Sequence, residues 1–95
     1  MGIHVGLLVV TYEIPSAKTL KDKRSILQSM IRRARNKLQL SVSEVDFQNR
    51  IRSGTIALAL VGTSRPALER LRDASEEFLS SDPRLIPIEV MWEWL

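Results

Sequence analysis

Residues 2–38, GIHVGLLVVTYEIPSAKTLKDKRSILQSMIRRARNKL, change their hydrophobic period halfway along. Up to Ile14 the apolar residues alternate. Ile3, Val5, Leu7 and Val9 share one face; Leu8, Val10, Tyr12 and Ile14 share the other with His4 and Gly6. A period of two reads as a strand. Apolar residues on both faces mark it as a central one. Pro15-Ser16 ends it. Thr19 with Asp22 three residues later makes a capping box, Asp standing in for the usual Glu, and starts a helix near Leu20. Leu20, Leu27, Ile31, Ala34 and Leu38 then line one face at helical spacing, with Ile26 and Met30 beside them.

Working outward, Leu40 to Phe47 reads as a second strand. Leu40 and Val42 have one parity, Val45 and Phe47 the other, so the spacing predicts a bulge around Ser43–Glu44. Gln48, Asn49 and Arg50 form a turn. Arg52 to Val61 is a third strand, with Ile56, Leu58 and Leu60 on one face and Ala57, Ala59 and Val61 on the other. Thr63-Ser64-Arg65-Pro66 starts a second helix, with Ser64 or Thr63 as cap and Pro66 in its first turn. Leu68, Leu71, Ala74, Phe78 and Leu79 supply its apolar stripe, and it stops before Asp82-Pro83. Leu85 to Leu95 is a last strand, with Ile86, Ile88, Val90, Trp92 and Trp94 expected on one face. Pro87 suits an edge.

The order βαββαβ with right-handed crossovers gives an α/β (α+β) sandwich of the ferredoxin-like type. Its sheet is antiparallel, in strand order 4-1-3-2, with both helices on one face. Residues 1–95 form one domain.

The chain has no cysteine, which leaves no disulfide framework and no thiolate metal site. Val5 to Val10 is too short for a signal peptide and lacks a basic leader. No stretch approaches the ~20 apolar residues of a membrane helix. These features fit a cytoplasmic protein with no membrane partner.

The net charge of +3 is unevenly spread. Residues 18–37 carry eight Lys/Arg and one acid, Asp22; the rest of the chain carries six Arg and ten acids. On a helical wheel Lys21, Arg24, Gln28, Arg32 and Arg35 make one continuous stripe. Cations at successive turns span roughly 20 Å at ~1.5 Å per residue, a length that matches several backbone phosphates. Arg suits forked phosphate contacts. Lys21, Arg24, Arg32 and Arg35 are therefore the candidate nucleic-acid-binding residues. A solvated helix face accounts for the same charges, and Lys or Arg late in a helix favours the macrodipole. Lys23 falls on the apolar side of the wheel and is expected to snorkel at the helix start. Arg50 and Arg52 have no assigned place.

"TLKDKRSILQSM" (19–30) and "SVSEVDFQ" (41–48) resemble the YlxP-like family of small, largely uncharacterised bacterial proteins. Its members carry a similar "SLKDKR" box and "SVAEVD" strand. Thr19 replaces the usual Ser and Ser43 the usual Ala. Asn49-Arg50-Ile51 stands where relatives tend to have an Asp, an apolar residue and Trp. The resemblance implies a ferredoxin-like fold and genes often lying near those for translation initiation and ribosome assembly. It supplies no catalytic residues.

No catalytic motif competes with a binding role. Glu44 with Asp46, and Glu89 with Glu93, alternate on strands, where carboxylates more often face solvent than do acid–base work. His4 is alone, and Gly54 and Gly62 are isolated rather than parts of a phosphate loop. The third strand offers alanines where an RNA platform on this fold needs aromatics. Three readings follow. The first is a non-enzymatic accessory factor without cofactor that touches RNA or a ribosomal particle through the first helix. The second is a protein-interaction module, a homodimer through the open sheet face. The third is a small-ligand sensor on that face, by analogy of fold alone.

Overall fold

A computed structural model of the chain describes residues 2–95. The elements are β1 (His4–Glu13), α1 (Leu20–Leu38), β2 (Ser41–Asp46), β3 (Ser53–Gly62), α2 (Arg65–Leu79) and β4 (Ile86–Trp94). All pairings are antiparallel and the sheet order is β2-β3-β1-β4. This is the ferredoxin-like arrangement that the hydrophobic periods predict.

The core lies between the sheet and the helices. Leu8, Val10, Tyr12 and Ile14 project from the β1 side. Ile56, Leu58 and Leu60 from β3 and Val42 from β2 join them against Leu27, Met30, Ile31 and Ala34 of α1 and Leu68 and Leu79 of α2. Tyr12 is fully buried, and its hydroxyl donates to the Leu79 carbonyl at 2.7 Å, tying the central strand to the end of α2. Burial pushes this phenol well above the usual tyrosine range.

Both helix starts follow their sequence signals. Thr19 Oγ1 accepts from Asp22 N, and Asp22 Oδ2 accepts from the N–H groups of Thr19 and Lys18. Ser64 Oγ caps α2 by accepting from Ala67 N. α1 ends on Gln39 in the left-handed region (φ 54°), whose N–H bonds to the Arg35 carbonyl.

One bulge sits just beyond its expected place, and a second, in β4, is not foreseen by the hydrophobic pattern. In β2 the register shifts between Glu44 and Asp46, so Val45 is the extra residue and the bulge lies beyond Ser43–Glu44. In β4 the register shifts opposite Thr11/Tyr12. Val90, Trp92 and Trp94 pair with Val10, Leu8 and Gly6 on the helix side, but Ile86 pairs with Glu13 and so turns to the open face. The expected single face from Ile86 to Trp94 is therefore broken at Ile88. Trp92 lies across Gly6, where a Cβ would come within 2.0 Å of its indole.

The open face is a grid. Ala59, Leu7 and Glu93 form one row with Ser41; Ala57, Val9 and Met91 form the next with Ser43. Thr55 and Thr11 bridge a third through their hydroxyls at 3.0 Å.

Candidate nucleic-acid interface

Eight basic residues lie in α1 or just before it, and their fates differ. Lys23 is fully buried rather than snorkelling. Its ammonium bonds to the Phe47 carbonyl and lies 3.6 Å from Glu44 Oε2. Burial lowers its pKa below the usual lysine range, and Glu44 pulls the other way. Arg33 bonds to Asp82 Oδ2 at 2.8 Å. The same carboxylate takes Arg84 Nη2 at 2.8 Å, Arg84 Nε at 3.0 Å and Arg84 N at 2.9 Å. The Arg84 hydrogen bonds, with help from Arg33, hold Asp82 well below the usual carboxylate range despite its burial. This clamp ties α1 to the loop before β4.

Of the four candidate residues, Lys21, Arg24 and Arg32 are exposed, and among the described residues none has an acid within 4.0 Å. Arg35 is exposed as well, but its Nε and Nη2 both donate to the Val42 carbonyl, at 3.1 and 2.7 Å. Part of its fork is thus committed to holding β2 against α1. Lys21, Arg24 and Arg32 lie within about 80° of one another around the helix and span ~16 Å along it. The one acid of α1's basic stretch, Asp22, is spent on the cap, so nothing on the helix neutralises them.

The β2–β3 turn extends this surface. Phe47 takes a left-handed conformation (φ 57°), its N–H bonding to Asp46 Oδ1. Arg50 N bonds back to the Phe47 carbonyl, and the Arg50 guanidinium lies 4.7 Å above the Phe47 ring. Because Lys23 holds that same carbonyl, the turn with exposed Arg50 is moored to the Lys21–Arg24 end of α1. Arg52 is also exposed, its carbonyl accepting from Ile14 N.

The sequence does not announce the Lys23–Glu44 contact. Its only signal is a lysine on the apolar side of the wheel and a carboxylate of unknown facing. Glu44 and Asp46 do not act as a pair, since the bulge at Val45 separates them and Asp46 turns back on its own chain. Elsewhere, a cleft of about 340 Å³ lined by Lys37, Leu38, Ala74, Glu77, Phe78 and Ser81 opens in the helix layer, not on the sheet face that the small-ligand reading needs. No helix among the described residues is long and apolar enough to cross a membrane.

A family model described as a protein of unknown function, DUF503, matches residues 5–91. The chain is also 30% identical over 81 residues to the uncharacterized protein YlxP of Bacillus subtilis (strain 168), covering 85% of this chain and 88% of that protein. With the fold, the capped basic helix and a match over nearly its whole length, the chain belongs to the DUF503 family, the YlxP-like proteins.

Proposed function

We propose that this protein is a non-catalytic cytoplasmic accessory factor that binds RNA through the backbone, using α1 and the β2–β3 turn. The observation that carries the reading is the stripe of Lys21, Arg24 and Arg32, exposed and, among the described residues, without acidic partners. Arg35 and Arg50 flank it. Unpaired cations at fixed spacing on a rigid helix suit phosphates, whose contacts position a nucleic acid without reading its sequence. The link to translation or ribosome assembly draws on the gene company of YlxP-like proteins.

The test is fluorescence anisotropy with a structured RNA at several salt concentrations. The Arg24→Glu/Arg32→Glu variant is compared with wild type. Log affinity is expected to fall linearly with log salt, and removing two phosphate contacts lowers the slope by about 2. Equal binding by wild type and variant at low salt would mean the stripe is a solvated face.

A second reading is self-association through the open sheet face as a protein-interaction module. Ile3, Val61 and Leu95 at its end are exposed, beside Val5, Leu7 and Val9. Loss of association on Val61→Glu, with RNA binding absent, would favour it over the first.

A further inference from the structure

The apolar exposure of this molecule is concentrated on one edge. Of the eight large apolar residues exposed among the described residues, Ile86, Ile88, Val90, Met91 and Leu95 belong to β4 or follow it directly. Among the described residues β4 pairs with β1 on one side and with nothing on the other. Natural sheets guard such an edge with charge, proline or a bulge, because its free N–H and C=O groups can template another strand. Here Pro87 and the bulge cover only residues 86–88, and beyond them Glu89 and Glu93 supply the charge.

The direction of the free groups follows from one bond. Leu95 N donates to the Val5 carbonyl at 2.8 Å, so Leu95 faces β1. Along an antiparallel strand this alternates. The backbone groups of Glu93, Met91 and Glu89 therefore also face β1, and those of Trp94, Trp92 and Val90 point outward.

We infer that β4 pairs antiparallel with β4 of a second copy about a two-fold axis through Trp92, joining two sheets into one of eight strands. Charge selects this register. An axis through Met91 would set Glu89 opposite Glu93 of the second copy, twice. An axis through Glu93 would set that residue against itself, and like charges directly opposite are destabilising. An axis through Val90 would run the pairing into the bulge and Pro87. With the axis at Trp92, Met91 lies opposite Glu93 of the second copy, Glu89 opposite Leu95, and Val90 opposite Trp94.

On the helix side the packing of α2 stays with β3 and β1, and only its side chains reach over β4: Arg65 lies 4.8 Å above the Trp94 ring and Arg72 lies 5.3 Å above Trp92. The basic stripe of α1 packs over the β2 side of the sheet, so the pairing leaves it free and stands apart from the RNA reading.

Sedimentation velocity on the full chain from about 5 to 200 µM tests the proposal, with circular dichroism confirming that each variant is folded. A monomer–dimer equilibrium is expected. Val90→Lys, which sets a charge against Trp94 of the second copy, and Met91→Glu, which sets two acids directly opposite each other, should each raise the dissociation constant more than tenfold, about 1.4 kcal/mol. Met91→Lys, which sets an opposite charge against Glu93 of the second copy, should keep it within about threefold of wild type. Three results would overturn the inference. One is a monomer throughout the range. Another is a dimer indifferent to Val90→Lys but lost on Val61→Glu, which would move the contact to the open face. The third is a Met91→Lys variant that weakens association as much as Met91→Glu does.

Discussion

Replacing Gly6 by alanine puts a methyl group where the Trp92 indole lies. The ideal Cβ falls 2.0 Å from Cη2, 2.6 Å from Cζ2 and 2.8 Å from Cζ3. Ordinary contact begins near 3.4 Å, so the ring must move by roughly 1.4 Å or leave the site. A tryptophan buries roughly 150–250 Å². At ~25 cal/mol per Å² its full expulsion costs about 4–6 kcal/mol. Trp92 is half-buried on an edge strand that can yield, which sets the expected loss near 2–3 kcal/mol. For a chain of this size that lowers Tm by roughly 10–20 °C. The assay is urea unfolding followed by circular dichroism and tryptophan fluorescence, run as a double-mutant cycle with Trp92→Ala. In that background the methyl group meets empty space, and Gly6→Ala should be neutral or stabilising by up to about 1 kcal/mol, since alanine loses less chain entropy than glycine. A cost under about 0.5 kcal/mol in the wild-type background, or the same cost in both backgrounds, would refute the account of Gly6 as the seat of Trp92.

Two further outcomes concern buried charge. Glu44→Gln leaves the Lys23 ammonium buried with only the Phe47 carbonyl, and should cost about 1–3 kcal/mol at pH 7, below the usual figure for a broken buried pair because Glu44 is partly exposed. Lys23 titrates below its unfolded value of ~10.4. Between the two values the unfolded chain holds the extra proton, so stability rises with pH there. Losing Glu44 extends that window downward, and the gap between variant and wild type in urea unfolding should therefore be smaller near pH 9.5 than at pH 7. Asp82→Asn should cost about 1–2 kcal/mol at pH 7, the low end for charged hydrogen bonds, because Arg33 and Arg84 are nearly half exposed. Asp82 is held below its unfolded value of ~3.9, so its contribution is complete above that pH and is lost as pH falls toward the folded value. Acid titration of unfolding should be shallower for the variant than for wild type below pH 4, and equal slopes would contradict the clamp.

The elements of the fold are readable because each has its own period. Alternation marks β1 and β3, a 3.6-residue stripe marks both helices, and Thr19/Asp22 and Ser64/Pro66 mark their starts. What cannot be read is register. A bulge moves every later side chain to the other face; the parity change between Val42 and Val45 announces the one in β2 only to within a residue, and nothing marks the one at Ile88. Glu44's turn toward Lys23 depends on that register, so a lysine that looks fit to snorkel is buried instead. The stripe itself is legible as a wheel, but the wheel does not see β2, whose Val42 carbonyl takes up the fork of Arg35. The sequence lacks any local feature that places Arg50. Its position beside the helix start comes from a long-range bond to the Phe47 carbonyl.

The burial of Lys23 gives the molecule a built-in clock. The chain has four lysines, and Lys18, Lys21 and Lys37 are exposed. An amine-directed reagent in solution reaches those three at once. It reaches Lys23 only when α1 and the β2–β3 turn separate, so the slow fourth modification counts openings of that seam. If the turn stays docked when a polyanion lies across Lys21, Arg24 and Arg50, the same reagent reports the docking without any label added to the protein. Labelling of Lys21 then falls because it is covered. Labelling of Lys23 falls because its gate opens less often.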